Sequence, residues 1–229
     1  AFGPGIWRVM ASIIGIHGDN TGLILPSVVA PVQTVIVPIL FGDDEENEAI
    51  MERCETIQSQ LEEAGVRTEI DASDKRPGWK YNHWEMKGVP TRVEIGPRDL
   101  EDDECVVATR FGDKDSHPVN EAVSVVQDAM LDVDDEIEEQ AQQYFDDNTV
   151  YTEDYDELCE VIEDFEGFVK APFYDIEGDE AEAYAEQLQD DTDGAYVCGV
   201  KEGESEAEDK TCIVSGKPAN HIVYIAKSY

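Results

Sequence analysis

Thr34 to Phe41, TVIVPILF, is an unbroken apolar run that stops where Gly42 and four consecutive acids begin. A run that short and that rich in β-branched residues reads as a buried strand, and Pro38 within it marks a sheet edge or a strand end. Beyond it the pattern alternates between helix and strand. Ile50, Cys54, Ile57, Leu61 and Ala64 recur at helical spacing up to a stop at Gly65, and Val66, Thr68 and Ile70 alternate as a second strand. Trp79 to Lys87 reads as a short helix closed at Gly88, because Pro90 forbids its continuation. Arg92 to Ile95 and Cys105 to Thr109 read as two strands joined by an acidic turn. Val123, Val126, Met130, Val133, Ile137, Ala141 and Tyr144 then form a long helical stripe. Strands alternating with helices restrict this part to an α/β domain of about 100 residues, a mixed sheet flanked by helices.

Upstream, residues 1–20 pass from a Gly-Pro-Gly turn into a helix of Ile6, Trp7, Val9, Met10, Ile13 and Ile14, which Gly18 terminates. Apolar nearly all round, this helix expects burial on several sides. Arg8 is the only charge inside it, either a side chain snorkelling from a core helix or a cation held for a phosphate or a base. The chain begins abruptly there with no methionine, which reads as the back part of a longer protein. Thr21 to Pro31 is irregular and suits a linker. After Asp147 a smaller α+β unit is expected: helices over Tyr155–Phe165 and Asp179–Gln189, and strands over Gly167–Phe173, Tyr196–Val200, Cys212–Val214 and Ile222–Ala226. Lys201 to Lys210 reads as a solvated loop. The boundaries so drawn are 1–31, 32–148 and 149–229.

The 229 residues carry 54 acids against 16 lysines and arginines, a formal charge of -38, while hydrophobic content stays at an ordinary 41%. Acids in short runs decorate periodic apolar segments, so the acidity is that of a folded surface and not of a disordered tail. Such a surface repels itself in dilute buffer and is screened in concentrated salt, which points to a salt-rich cytoplasm. No apolar run approaches the roughly 20 residues of a membrane span, and no signal peptide is apparent. Cys54, Cys105, Cys159, Cys198 and Cys212 are odd in number and form no CxxC pair. That spacing offers neither a disulfide framework nor a strong zinc signature, and reduced thiols fit it best.

Against this background GWKYNHWEMKGVPTRVEIGPRDLE, residues 78–101, stands out. Lys75, Arg76, Lys80, Lys87, Arg92 and Arg98 face only Glu85 and Glu94 between positions 75 and 98, and two of the chain's three tryptophans lie there. Aromatic rings interleaved with cations suit unstacked, single-stranded RNA, whose bases stack while its phosphates pair. The competing reading is an amphipathic helix-strand corner with solvated lysines. From Glu121 onward 32 acids meet five lysines, which argues against the second unit gripping phosphates.

Three stretches together resemble the archaeal/eukaryotic type of prolyl-tRNA synthetase, a class II aminoacyl-tRNA synthetase. They are WRVMASIIGIHGDNTGLILPSVVAP, similar to the third class II motif and its run-out; the 78–101 stretch with its GVPTRVEIGPRDLE; and the ending GKPANHIVYIAKSY. The resemblance implies the end of a catalytic domain in 1–31, an anticodon-binding domain in 32–148 and a C-terminal domain in 149–229. It implies that the whole enzyme activates proline with ATP and Mg2+, charges proline tRNA and works as a homodimer. RNA, not DNA or a membrane, is then the macromolecular partner. Arg8 falls on the motif's arginine, whose planar, permanent charge would lie against ATP. Ile6 replaces the small hydroxyl residue common two positions earlier. Since the other two class II motifs are not in the chain, it is not expected to activate proline alone. Tyr81, Glu85, Arg92, Asp99 and Lys114 match positions used on the anticodon: Tyr81 to stack on a base, Glu85 to accept from a guanine edge, Arg92 and Lys114 to donate to bases or phosphates. The alternative for Glu85 is a pair with a neighbouring lysine, and for Tyr81 a packed ring.

The family often binds zinc through two cysteine pairs in its last domain. Here the first pair falls near Tyr174 and Asp179, Ser215 stands where the partner of Cys212 would be, and Cys198 lies outside the pattern. One thiolate of four does not make a closed structural site, so no zinc is expected. Tyr229 resembles a terminal tyrosine that reaches the catalytic domain. Two other readings stay open on sequence: a freestanding RNA-binding accessory protein built on the anticodon fold, and a synthetase of another amino-acid specificity.

Overall fold

The computed structural model describes residues 3, 5–41, 43–164, 167–203 and 207–227, so Tyr229 lies outside the described residues. They divide into two compact units, 1–141 and 142–229. The first holds helices α1 (Ile6–His17), α2 (Asp44–Glu63), α3 (Pro77–Met86), α4 (Pro97–Asp102) and most of α5 (Ala122–Asp147). Its strands are β1 (Thr34–Pro38), β2 (Thr68–Ile70), β3 (Thr91–Ile95), β4 (Glu104–Thr109) and β5 (Lys114–Pro118). The sheet order is β2-β1-β3-β4-β5. β1 pairs in parallel with β2 and β3, while β3–β4 and β4–β5 are antiparallel. The apolar run is thus an inner strand with Pro38 as its last residue, and the Ile39 N–H just beyond it still donates to the Ile95 carbonyl at 2.8 Å.

Period-two alternation sorts the strands between two faces. Ile36, Val93, Ile95, Cys105 and Val107 pack against Ile50, Ile57 and Leu61 of α2 and Val126 of α5. Val35 and Val37 face the other way, against Trp84 of α3 and Val89. Each of these fully buried aliphatic side chains contributes about 1.5–3 kcal/mol through the apolar surface it withdraws from water. The acidic run before α2 has a local reason: Asp43 accepts from the Glu46 backbone N–H at 3.0 Å, and Asp44, Glu45 and Glu46 fill the first turn, where the helix dipole favours anions.

Two expectations fail in this unit, and one of its strands goes beyond them. The acidic turn between β3 and β4 is the short helix α4, started by Pro97 and capped when the Asp99 carboxylate accepts from the Gly96 N–H at 2.7 Å. The edge strand β5, KDSHP, carries no apolar alternation and was not foreseen. Helix α1, expected to be buried on several sides, buries no residue; Ile6 and Trp7 are 73% and 78% exposed. Its apolar positions find too little facing surface in this unit, and Ile6, Val9, Met10 and Ile13 line an open apolar groove with Leu23 and Val29.

The segment after α1 is clasped to the rest of the unit. Arg110 forks onto Asp19, Nη2 to Oδ1 at 2.7 Å and Nη1 to Oδ2 at 3.2 Å, and its Nε donates to the Leu23 carbonyl. Gly22 and Gly88 permit the contact. A Cβ on Gly22 would lie 2.2 Å from Met86 Cα, one on Gly88 2.7 Å from Leu23 Cβ, and both have positive φ.

In the second unit β6 (Thr149–Tyr151), β7 (Phe168–Phe173), β8 (Ala195–Gly199) and β9 (His221–Lys227) form a sheet in the order β6-β7-β9-β8, with helices α6 (Tyr155–Asp164) and α7 (Asp179–Asp191). Val169, Ala171, Phe173, Val223 and Ile225 make its core with Leu158, Ile162 and Leu188. Both units are mixed α/β structures. Cys212–Val214 is a turn and not a strand: Gly216, at φ 69°, lets the chain fold back so that Thr211 bridges Pro218.

Candidate nucleic-acid interface

The register of β3 decides where the chemistry sits. With Val93 and Ile95 committed to the α2 face, Arg92 and Glu94 must point to the α3 face. Cross-strand pairing extends that row, Arg92 opposite Ala108 and Ala108 opposite Lys114, so Lys114 arrives on the same face. Helix α3 then lays Tyr81 and Glu85, one turn apart, over this row.

Glu94 is the hub. It is 3% exposed and accepts three hydrogen bonds: from Tyr81 Oη at 2.7 Å, Arg92 Nε at 3.0 Å and Lys114 Nζ at 2.8 Å. Burial opposes its ionisation, but the donors from Lys114, Tyr81 and Arg92 outweigh it and hold the carboxyl below its ordinary value. The Tyr81 hydroxyl is pushed the other way, by burial first and then by its bond to the Glu94 carboxylate, so it stays a donor at any ordinary pH. Arg92 also donates from Nη1 to Glu85 Oε1 at 3.1 Å, and its guanidinium carbon lies 4.1 Å from the Tyr81 ring centroid.

Four of the residues singled out for the anticodon, Tyr81, Glu85, Arg92 and Lys114, therefore form one cluster. Tyr81 is half-buried with one face against Arg92. Glu85 pairs with that arginine and not with a lysine. Asp99 belongs to the cap of α4, although its charge is felt at Tyr81. Arg8 is exposed on α1 and has no ion-pair partner among the described residues. Glu94 was missed as a site residue because in sequence it is one acid among 54. The signal that could have found it is its position two residues after Arg92 in an alternating strand.

The cationic island is smaller than the sequence implies. Lys80 is 2% exposed and donates to the Asp71 carbonyl at 2.6 Å, while Trp84, also buried, donates from Nε1 to Asp71 Oδ2 at 2.8 Å. Both anchor α3 from below and neither is presented to a ligand. Lys75, Arg76, Lys87 and Arg98 remain exposed, beside a half-exposed Trp79 stacked on His83 at 4.9 Å.

In the second unit, Cys212 Sγ accepts from the Ser215 N–H at 3.4 Å. Nearby, Lys217 bonds Glu180 at 2.9 Å and lies 5.0 Å from the Tyr174 ring. Of these side chains only the Cys212 thiol and the Glu180 carboxylate are zinc-ligand types, and the carboxylate is bonded to the Lys217 ammonium, a set that does not make a closed tetrahedral zinc site. No cluster of three His, Cys, Asp or Glu side chains suited to a metal occurs among the described residues. No helix among them is long and apolar enough to cross a membrane.

Ring, guanidinium and carboxylate groups thus meet at one point on the α3 face of a mixed sheet, a set able to stack on and hydrogen-bond an unpaired base. Residues 28–129 match the family model described as the anticodon binding domain, and residues 155–229 match that of the prolyl-tRNA synthetase C-terminal domain. The chain is homologous to the C-terminal, anticodon-binding portion of prolyl-tRNA synthetase. It is 37% identical to a proline–tRNA ligase of Thermofilum pendens, across 100% of this chain and 46% of that one. For the proline–tRNA ligase of Oceanobacillus iheyensis the figures are 35%, 97% and 44%. The structure of Giardia lamblia prolyl-tRNA synthetase in complex with prolyl-adenylate superposes with a TM-score of 0.83 at 32% identity, over 97% of this chain and 47% of that one. The chain thus spans a little under half the length of the relatives it matches.

Proposed function

We propose that this chain reads the anticodon of proline tRNA as part of a prolyl-tRNA synthetase of the archaeal/eukaryotic type. The observation that carries this reading is the convergence of Tyr81, Glu85, Arg92 and Lys114, from α3, β3 and β5, on one face of the anticodon-binding unit. Guanine presents O6 as acceptor and N1–H and N2–H as donors, which a neighbouring guanidinium and carboxylate complement. Asp99 acts behind them, fixing α4 and adding negative charge beside Tyr81.

The whole enzyme activates proline with ATP and Mg2+ and passes the prolyl group to its tRNA. Arg8 would serve there against ATP, and the exposed apolar side of α1 fits a helix that belongs against a catalytic domain. The acidic surface supports a cytoplasm of high salt, and the assembly is a homodimer. The donor set around Cys212 supports a C-terminal domain that folds without zinc.

The test is binding of this chain to proline tRNA and to several other tRNAs in concentrated KCl. Proline tRNA is retained preferentially, and Arg92→Glu weakens it far more than Lys201→Glu. Equal effects of the two reversals refute the site. Proline-dependent pyrophosphate exchange by the chain alone would refute the division of labour.

A further inference from the structure

Glu94 sits beneath the anticodon cluster, and the anticodon reading gives it no role of its own. Three elements reach this one buried carboxylate. A site built to clamp phosphates would present unneutralised cations, yet Arg92 and Lys114 are both bonded to Glu94, and Arg92 to Glu85 as well. Two cations against two carboxylates leave the cluster neutral inside a chain of charge -38. Such a site exerts no long-range pull on a polyanion.

What it keeps is directed hydrogen bonding. Glu94 holds Arg92 through Nε, and Glu85 takes Nη1, so Nη2 has no hydrogen-bond partner among the described residues. Glu85 uses only Oε1, which leaves Oε2 likewise open. An open guanidinium donor beside an open carboxylate acceptor complements guanine O6 and its N1–H and N2–H.

We propose that Glu94 is a positioning residue that holds Arg92 and Lys114 for base edges and withholds their charge from phosphates, so that the anticodon is read with little counterion release. This rests on the anticodon reading above and extends it to specificity and salt response. An RNA contact that neutralises one phosphate of a single strand contributes about 0.7 to the slope of log affinity against log salt. Arg92 and Lys114 held as described contribute close to zero.

The test uses this chain and two synthetic anticodon stem-loops, one with adjacent guanines in the anticodon and one with cytosines in their place, titrated across KCl concentrations. The wild type prefers the guanine loop with a shallow slope. Glu94→Gln removes one of the two carboxylates, leaving Lys114 unpaired and Arg92 held by Glu85 alone, so the slope steepens by about 0.7 and the preference falls about tenfold, the loss of a bidentate base contact. A variant that is merely less stable gains active fraction as KCl rises and so flattens the slope, the opposite of the expected steepening. An unchanged slope and preference in Glu94→Gln overturns the role of Glu94 while leaving the anticodon reading intact. No preference in the wild type overturns the anticodon reading, and the role of Glu94 with it. Should Glu94→Gln fail to fold, Lys114→Met decides: under the proposal the slope barely moves, and a drop of about 0.7 shows a phosphate contact and overturns it.

Discussion

Replacing Asp19 by Asn tests the clasp that ties the segment after α1 to the anticodon-binding unit. The guanidinium of Arg110 is 5% exposed while the Asp19 carboxylate is 44% exposed, so one partner is deep and the other half in water. Removing one member of a fully buried pair costs about 3–5 kcal/mol, whereas exposed pairs contribute only about 0–1 kcal/mol. The intermediate geometry sets the expected cost of Asp19→Asn at roughly 2 kcal/mol, because Arg110 keeps its bond to the Leu23 carbonyl but loses its counter-charge. Urea unfolding at neutral pH in about 1 M KCl, where the Debye length is about 3 Å, measures it without surface attraction contributing. A double-mutant cycle with Arg110→Met should give a coupling of at least about 1 kcal/mol. The acid limb gives a second readout. The Arg110 bond, aided by Thr21, holds the Asp19 carboxyl well below its ordinary value. Its contribution is therefore present above the ordinary aspartate value and lost as pH falls through the depressed one, where wild type and Asp19→Asn should converge. Asp19→Asn within about 0.5 kcal/mol of wild type at neutral pH would refute the clasp as a stabilising contact.

The same geometry sets three further outcomes. Gly22→Ala should unfold more readily by roughly 2–3 kcal/mol, since its φ of 147° and the 2.2 Å approach to Met86 Cα leave no room for a methyl group, and urea midpoints read the difference. Glu94 is held below its ordinary value, so its contribution is full above that value and disappears as pH falls through the lowered one. Glu94→Gln should accordingly show a shallower acid limb by circular dichroism, and an unaltered limb would count against the bonded network. Dialysis into dilute buffer should expand or unfold the chain, with concentrated KCl restoring it. Full helicity without salt would show that 54 acids are tolerated without screening.

Elements with a buried periodic face are legible in the sequence. β1, α2 and α5 emerge directly from apolar runs or from spacings of three and four, because both faces of β1 and one face of each helix enter the core. β5 is not legible, since an edge strand of exposed residues needs only backbone partners from β4. α4 is hidden by its acids, which sequence reads as a turn until Pro97 and the Asp99 cap are seen together. The apolar character of α1 is plain in the sequence, but nothing there tells which surface covers it. In the site, residue identity is legible and ion pairing is not. Lys80 and Trp84 look like ligand groups because they share a stretch with Tyr81, yet the helical turn sends them to Asp71 instead.

That division bears on how so acidic a chain would hold RNA under the proposed function. Lysines scattered over a surface of net charge -38 would be overwhelmed by the surrounding carboxylates in dilute buffer and screened in concentrated salt. The cluster under α3 escapes both effects because its cations are already paired, and its remaining groups act by short-range hydrogen bonds and ring contact. Those interactions weaken little as salt rises, since they depend on fit and desolvation and not on a distant field. On the proposed reading, a buried carboxylate beneath the site does not oppose RNA binding: it would let an arginine and a lysine face a base without drawing the nearest phosphate, and would fix the arginine where a guanine edge can be distinguished from other bases.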